Sequence, residues 1–497
     1  MSTTPWSWIP SAAAAELDGG RRAAAGGTLL LILGGIVLAA LGNASGALVI
    51  GLGLAVSGIV DRRLPVLGAV ALLPTLTVFH PLVLTYVGRS ALDFRLLLTA
   101  GTGLAIAPWV LVGRRRPDLV GWLLIAFLGV LAVLSLGNAV SPMHALPVMG
   151  RWGTYTIVYL AARTWLGRAG DTRLVIGAVV VGMIVPALSG LLQMFLGGAL
   201  LINDAARLSG VYATSPVGLG LAMQLAALAL AGVIAVRLGP SSRSRNLVIG
   251  LLVVFSIVLI GTATRLVFAS FVVGLLLTAG LARRYLAMPV IVLGAVLVLL
   301  SQPALAGRFA STVEAEPTIP PSGQVGSPTD PTDPQDVVVG DASLRFRLYV
   351  WGSMVPEWLS SPLIGHGTGS FATIFERRSG LARVAPHNDY LGIAVEDGVV
   401  GLGTYLALQA AVVLGLARRL WRQLPARPSF PVLVALVAFL SLNVINSINN
   451  PILFLDLQVA LWAIVGSSLA QPDGAGSPTA LVPPEDGRRP APTGVAR

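Results

Sequence analysis

Between Arg345 and Gly401 the chain reads RFRLYVWGSMVPEWLSSPLIGHGTGSFATIFERRSGLARVAPHNDYLGIAVEDGVVG. This stretch ends the one long polar connection in a chain that otherwise consists of apolar runs. At Pro386-His387-Asn388-Asp389-Tyr390 the connection re-enters an apolar segment, so a titratable imidazole stands where water meets hydrocarbon. An ionisable side chain at such a boundary indicates a functional site. His387 is therefore the first candidate functional residue.

The composition places these apolar runs in a membrane. Of the 497 residues, 55% are hydrophobic and only 11% are charged. Runs of about 18 or more apolar residues recur along the chain, and each is long enough to cross the hydrocarbon core. Cysteine is absent, which excludes disulfides and thiolate metal sites. The sequence predicts an all-α polytopic membrane protein of about 12–14 transmembrane helices and excludes a string of soluble domains.

The formal net charge is +11, and arginine supplies the basic side chains because lysine is absent. The arginines are clustered in alternate short loops, which is the positive-inside pattern of membrane proteins. The clusters are Arg62-Arg63, Arg114-Arg115-Arg116, Arg163/Arg168/Arg173, Arg237/Arg243/Arg245, Arg283-Arg284 and Arg418/Arg419/Arg422/Arg427. The charge is therefore interpreted as orienting the chain with its N-terminus inside, and not as a nucleic-acid surface. In this topology all four histidines lie outside.

Five regions are predicted along the chain. They are a cytoplasmic leader (1–26), an N-terminal transmembrane bundle (27–302), a long extracytoplasmic loop (303–389), C-terminal transmembrane helices (390–470) and a disordered cytoplasmic tail (471–497). The first apolar segment is interpreted as a retained span and not as a signal peptide, because a second apolar run follows it at once as its return partner.

Two apolar runs, Leu64–Val87 and Leu174–Leu196, are each predicted to form one continuous span. Three glycines in the span after the long loop are expected to allow close helix packing. They are Gly398, Gly401 and Gly403.

Within the long loop, residues 314–341 are acidic, rich in proline and free of basic residues. We expect a disordered insert there. Its Asp330 and Asp333 are not interpreted as a metal site, because the alternating prolines keep the two carboxylates from converging.

The end of the same loop has a helical pattern. From Ser343 to Leu359 apolar residues recur at helical spacing, which predicts an amphipathic helix that lies on the outer leaflet or caps the bundle. The residues of this face are Leu344, Leu348, Trp351 and Val355.

Two arginines at the predicted outer face are candidates for binding an anion. Arg265 lies where one apolar run ends and the next begins after only a few residues, which places its guanidinium at or just below the headgroups. Arg207 lies in a short outer loop. Each alone is also typical of an interface or exposed arginine, but two guanidinium groups together recognise phosphate oxygens. Arg151, near the outer end of its span, is a third candidate.

His387 is the candidate general base. Asn388 or Asp389 is positioned to cap the helix that begins at Tyr390, which would hold the imidazole at a helix entrance on the outer surface. On an unbroken helix, Glu396 would project roughly opposite His387, since nine residues at about 100° each make about 900°. Glu396 is therefore interpreted as a structural partner for a buried arginine. A purely structural or exposed histidine is the alternative for His387.

The order of these segments resembles the O-antigen ligase and polymerase family of bacterial membrane glycosyltransferases. The resemblance spans about Arg207 to Asn450, and short motifs carry it. These motifs are Arg207-Leu208-Ser209-Gly210, Thr264-Arg265, Arg347–Trp351, Ser361–Gly367 and His387–Leu391 followed by Glu396–Gly401. The chain departs from the family pattern at Ala263, where serine or glycine is commoner, and in its acidic insert.

The resemblance implies a membrane glycosyltransferase fold (GT-C-like) in the bacterial cytoplasmic (inner) membrane, with an active site that faces outside. It implies that glycan is transferred or polymerised from an undecaprenyl-pyrophosphate-linked donor onto an acceptor hydroxyl of a glycan, lipid or protein, in cell-surface polysaccharide biosynthesis. Membrane lipid is the other expected partner, and neither a cofactor nor nucleic acid is expected.

The resemblance also implies roles for individual residues. Arg207 and Arg265 would hold the donor pyrophosphate, and His387 would activate the acceptor. A pyrophosphate leaving group needs charge stabilisation and not a proton, so the expected enzyme is a metal-independent inverting glycosyltransferase with one base on the far side of the sugar. The further candidates for substrate binding are Arg151, Arg347, Asn388 and Tyr390.

A multi-pass transporter or lipid-linked glycan flippase is the alternative function. Such proteins also use 12 to 14 or so helices and buried charge, but they tend to place ionisable residues near the middle of the membrane. Here the candidate charges cluster at one predicted face, which favours the glycosyltransferase.

Overall fold

The computed structural model describes most of the chain. The described residues are 11–79, 82–87, 90–113, 115–138, 142–202, 205–212, 215–236, 243–302, 305–306, 342–380, 385–423 and 430–470. The predicted acidic insert at 314–341 and the predicted tail at 471–497 lie outside these residues.

Helices account for most of the described chain. They are α1 (Ser11–Ala40), α2 (Gly46–Val60), α3 (Leu64–Leu76), α4 (Phe94–Gly113), α5 (Leu119–Asn138), α6 (Pro142–Trp165), α7 (Ala169–Gly182), α8 (Ile184–Leu196), α9 (Pro216–Val236), α10 (Arg243–Gly261), α11 (Arg265–Leu281), α12 (Ala287–Ser301), α13 (Ala342–Ser360), α14 (Phe371–Ser379), α15 (Asp389–Gln423), α16 (Phe430–Phe439) and α17 (Leu455–Ala470). Among the described residues, seven helical segments are long and apolar enough to cross a membrane, and six shorter apolar helices accompany them. The predicted all-α polytopic membrane class is confirmed.

Helices of similar hydropathy occupy different positions in the bundle. Every residue of α17 from Leu455 to Leu469 is buried, and α16 is buried throughout. By contrast, α12 has no buried residue. A helix that is apolar on all sides is stable either inside a protein or in contact with lipid, so α16 and α17 form the centre and α12 lies at the periphery.

One predicted span is interrupted, and a second contains an irregular residue. The run from Leu64 continues as α3 only to Leu76, and a 3₁₀ turn then leads into strand β1 (Val83–Val87), which pairs with β2 (Ser90–Asp93). Its Val-Leu-Thr-Tyr-Val sequence favours a strand. The run from Leu174 lies within one candidate membrane span, Asp171–Leu196, as predicted, with a single irregular residue at Met183 between α7 and α8. Pro186 explains this irregularity, because it has no N–H to bond the carbonyl four residues earlier.

The helix after the long loop is also broken. Within α15, Gly398 has φ +62° and ψ −163°, which interrupts the helix. A Cβ at this position would lie 2.3 Å from the backbone of Leu363. Gly398 therefore provides a break in α15 and lets the segment around Leu363 approach it closely. The prediction for Gly398 was close packing between helices. Gly403 has open space around it.

The segment from 361 to 367 fills this break. The amides of His366 and Gly367 donate to carbonyl oxygens of Val395 and Glu396 at 3.1 and 2.7 Å, and the amide of Val399 donates to Pro362 at 2.8 Å. Backbone groups that the helix loses at Gly398 thus find partners in the loop, which lowers the cost of burying them. The break fixes the end of the long loop against the first turns of α15.

A second irregular segment joins α16 to α17. After Phe439 the chain forms a π-helix (Leu440–Val444), a 3₁₀ helix (Ile445–Asn449), and a further 3₁₀ turn (Pro451–Leu453). Asn450, between the last two, has φ +51°. Segments of π-helix often mark functional sites.

Helix α13 is present as predicted, and it has a second apolar face that was not predicted. Val350 and Met354 are fully buried, whereas Leu348 and Val355 are 49% and 39% exposed. The buried face packs against α14 and α15 through Phe371, Phe375 and Val395. The helix is apolar on more than one side, so its packing partner selects the buried face.

Candidate functional site

His387 lies in the short connection that precedes α15, and three contacts hold this connection. The Nε1–H of Trp351 on α13 donates to the carbonyl of Pro386 at 2.9 Å. The Oδ1 of Asn388 accepts the amide protons of Tyr390 and Leu391 at 3.1 and 3.2 Å. Asn388 is therefore the residue that caps the helix.

The backbone at His387 is strained. Its φ is +48°, a left-handed conformation that is uncommon for residues other than glycine and costs of order 1–3 kcal/mol. Among the described residues, the other non-glycine residues with positive φ are Ala263, Arg283 and Asn450. Three of these four lie in or next to the segments that carry the candidate site, and such strain tends to concentrate at functional sites.

The electrostatic environment keeps the imidazole of His387 neutral. Burial, and then the positive charge of Arg347, lower the pKa of His387 from its ordinary value of 6.5 to about 4. At neutral pH the ring therefore has a nitrogen lone pair that accepts a proton. This is the protonation state that a general base requires.

Arg347 connects His387 to the centre of the bundle. Its Nη2 is 3.4 Å from the Oδ1 of Asn449, whose Nδ2 donates to the Oδ1 of Asn446 at 3.0 Å. The Nδ2 of Asn446 in turn donates to the Oγ of Ser270 on α11 at 2.6 Å. This hydrogen-bonded series leads from the long loop to α11, the helix that begins with Arg265.

Arg207 is held against the turn that precedes Arg265. It is buried, at 7% exposure, and it ends strand β4 (Ala205–Arg207), which pairs with β3 (Leu200–Ile202). Its Nε donates to the carbonyl of Thr262 at 2.9 Å, and its Nη2 donates to the Oγ1 of Thr264 at 2.8 Å. The structure therefore joins Arg207 to the Thr264-Arg265 motif, although 57 residues separate Arg207 from Thr264.

Ala263 accounts for the shape of this turn. Its φ is +47°, and it is buried between the two threonines that contact Arg207. The left-handed backbone turns the chain from α10 into α11 without a longer loop. The conformation at Ala263 is thus one that favours glycine.

Two further candidates lie close to His387. Arg151 on α6 lines a cavity beside the Pro386–Asp389 connection. The hydroxyl of Tyr390 donates to the Oε1 of Gln409 at 3.0 Å, and its ring lies 5.9 Å from that of Tyr405. Tyr390 therefore has polar and aromatic contacts inside the bundle in addition to its place in the motif.

Glu396 has a backbone partner in addition to the arginine that was predicted for it. Its Oε1 accepts the backbone amide of Phe371 at 3.1 Å, which ties α14 to α15, and the charge of Arg151 also acts on it. The prediction that Glu396 projects opposite His387 assumed that one helix carries both residues. This assumption is wrong, because α15 begins only at Asp389.

Several polar residues near the site were missed by the sequence interpretation. Arg95, at the start of α4, donates to the carbonyl of Leu453. The hydroxyl of Tyr212 donates to Asp456. The others are buried amides, of which all but Asn450 hydrogen-bond to another amide among the described residues, and they are Gln224, Asn443, Asn446, Asn449, Asn450 and Gln458. The run Asn443-Val-Ile-Asn-Ser-Ile-Asn-Asn450 was the available signal, since it places several amides in an apolar segment.

The chain was compared with families of known proteins. Residues 250–406 match the family model described as O-antigen ligase. The predicted family is confirmed for this segment. The match supports a membrane enzyme that ligates or polymerises glycans. A search of the curated proteins gave no match to the chain.

The matched O-antigen ligase segment contains part of the candidate site. Arg265, Arg347 and His387 lie inside it, as do Asn388 and Tyr390. Arg151 and Arg207 lie before it, and the tertiary structure is what brings them to the matched segment.

Proposed function

We propose that the protein transfers or polymerises glycan from an undecaprenyl-pyrophosphate-linked donor onto an acceptor hydroxyl at the outer face of the bacterial cytoplasmic membrane. The observation that carries this proposal is the neutral imidazole of His387. It is held in a strained backbone by Trp351 and the Asn388 cap, next to the cation Arg347.

In this reaction His387 is the base. It takes the proton of the acceptor hydroxyl as that oxygen attacks the anomeric carbon of the donor sugar. The bond from the anomeric carbon to the pyrophosphate oxygen breaks, and the pyrophosphate leaves with the electron pair. Attack opposite the leaving group inverts the anomeric configuration.

Arg207 and Arg265 are proposed to bind the pyrophosphate. The leaving group gains negative charge as the bond breaks, and fixed guanidinium groups stabilise that charge without a proton and without a metal. Support comes from the hydrogen bonds of Arg207 to Thr262 and Thr264, which fix its side chain beside the start of α11.

The remaining candidates are proposed to position substrate. Arg347 lies near enough to His387 to act on its charge, so it would bind substrate next to the base. Arg151 would bind the acceptor, and Asn388 and Tyr390 would hold the backbone and helix next to His387.

The test is deletion of the gene followed by complementation and analysis of the cell-envelope glycans. Short lipid-linked units should accumulate if the enzyme is a polymerase, and long unattached chains if it is a ligase. Complementation with His387→Gln should leave these products in place although the protein remains in the membrane. Full recovery of the envelope glycan with His387→Gln would refute the proposal. Donor glycan that is trapped on the inner face would instead favour the flippase.

A further inference from the structure

A small cavity lies beside the Pro386–Asp389 connection. Its volume is about 190 Å³, and α5, α6, α14, α15 and the 450–453 segment surround it. Pro386 and Asp389, on either side of His387, both line it. We call it the side cavity.

Two side chains that line the side cavity have acceptor oxygens without a hydrogen bond of normal geometry in the described part of the chain. Asp389 and Asn450 are 2% and 3% exposed. Among the described residues, neither carboxylate oxygen of Asp389 nor the Oδ1 of Asn450 makes a hydrogen bond of normal geometry. The Ile452 amide and the Arg151 guanidinium also act on the Asp389 carboxylate. Buried polar atoms are normally satisfied, so orphaned acceptors that line a cavity indicate a ligand or water.

The other two acids of the side cavity are already satisfied. Glu396 accepts the Phe371 amide, and Asp397 accepts the Oγ1–H of Thr368 at 2.6 Å. A ligand of this site must therefore donate hydrogen bonds to Asp389 and Asn450.

The lining selects the kind of donor. An anion would be repelled by the buried carboxylates, and a cation would be repelled by Arg151, which also lines the side cavity. Neutral hydroxyl groups are compatible with the acids and with Arg151, because a hydroxyl both donates and accepts a hydrogen bond. The aromatic rings of Phe127, Trp152 and Phe371 form much of the remaining wall, which suits the C–H face of a sugar ring.

The size of the side cavity fits one ring. At about 30 Å³ per water in the liquid, its volume equals about six waters, which is roughly that of one monosaccharide. We propose that the side cavity binds one sugar of the acceptor glycan, with hydroxyl groups donating to Asp389 and Asn450. This proposal rests on the proposed glycosyltransferase function.

The test is initial-rate kinetics of the purified full-length protein in nanodiscs. The substrates are the lipid-linked donor fraction and the acceptor fraction extracted from cells that lack the gene, each varied in turn. Asp389→Asn replaces one acceptor oxygen by an amide nitrogen at constant shape, and Asn450→Gly removes the amide while tolerating the positive φ. Each should raise the KM for the acceptor fraction about tenfold, as expected for one lost hydrogen bond to a buried group. The kcat and the KM for the donor fraction should stay within about twofold.

Tyr405→Phe is the matched control. Its hydroxyl is also buried without a hydrogen-bond partner among the described residues, but Tyr405 does not line the side cavity. This variant should keep the acceptor KM of the wild type. Ala372→Leu, which fills the side cavity from α14, serves if Asp389→Asn does not fold, and it should also raise the acceptor KM.

The two proposals fail in different ways. If His387→Gln transfers glycan at the wild-type rate, the proposed function is wrong. If His387→Gln is inactive but the side-cavity variants behave like Tyr405→Phe, the side cavity holds only water and the sugar site is wrong. A lower kcat with unchanged acceptor KM in Asp389→Asn would also overturn the sugar site.

Discussion

The two ends of helix α6 differ in how they use arginine. Near its first turns, Arg151 lines the side cavity together with the buried acids Asp389, Glu396 and Asp397. Fourteen residues later, about 21 Å along the axis, Trp165 lines an open pocket of about 1210 Å³. The exposed Arg62 stacks on Trp165 at 4.8 Å, and Arg63 pairs with Asp171 at 2.7 Å.

The backbone conformation also differs between the two ends. His387 and Asn450, with positive φ, and the break at Gly398 lie in or next to the segments that line the cavity with Arg151. The opposite end has the cation–π contact of the exposed Arg62 and the ion pair of Arg63 with the buried Asp171. Arginine content alone therefore does not locate a site in a membrane protein, whereas buried charge combined with backbone strain does.

The largest expected effect comes from removing a buried arginine. Arg207→Ala should lower kcat for glycan transfer about 10²–10³-fold, because it removes charge stabilisation of the leaving group. The check is the transfer rate in nanodiscs with the protein at matched amounts. Arg284→Ala, at the other end of the bundle, is the control, and equal losses in both variants would contradict the contrast between the two ends.

A smaller effect is expected from closing the helix break. Gly398→Ala should destabilise the protein by about 1–3 kcal/mol through the backbone conformation, and more because its Cβ would meet Leu363 at 2.3 Å. Thermal unfolding in detergent measures this. Gly403→Ala, which has open space, should keep or raise the midpoint. Similar midpoints for both variants would show that the break is not required.

The pH dependence of stability and of glycan transfer tests the role of His387. Its folded pKa of about 4 lies below the ordinary 6.5, so the unfolded chain binds more protons between these values and stability falls as the pH falls from about 6.5 to 4. We expect a loss of about 1–2 kcal/mol after allowance for partial exposure. Transfer should be independent of pH above about 5 and decline below it.

Denaturant titrations at several pH values provide the stability measurement. His387→Gln is the control, because the amide does not titrate and this part of the pH dependence should disappear. An unchanged pH profile in His387→Gln would assign the effect to other groups.

The smallest effect is expected from the exposed arginine at the opposite end. Arg62→Ala should cost about 0.5–1 kcal/mol through its lost contact with Trp165, and it should leave glycan transfer within about twofold. Thermal unfolding and the nanodisc assay measure both. A large loss of transfer here would mean that the open pocket takes part in the reaction.

Much of the fold was predictable because lipid contact and core burial both require apolar residues. The hydropathy pattern therefore located most helices, including α9 and α11. It was wrong where a local preference interrupted an apolar run, as at the strand Val83–Val87. It also did not show which side of α13 packs against the protein, because hydropathy does not identify the packing partner.

The candidate site was predictable only in part. His387, Arg265 and Arg347 were found because short motifs in a fixed order contain them, and their proposed roles stay predictions. Asn449 and Asn450 were missed because an asparagine carries no charge to mark it in an apolar run. Their importance depends on contacts with Arg347 and with the side cavity.

By itself, the sequence determined that this chain is a helical membrane protein with a segment that matches the O-antigen ligase family model, because apolar length and local motifs are properties of consecutive residues. Only the tertiary structure decided that Arg207 bonds the turn before Arg265, that Trp351 fixes the carbonyl before His387, and that Asp389 and Asn450 share one cavity. These are contacts between distant parts of the chain, and packing and hydrogen bonding between helices determine them.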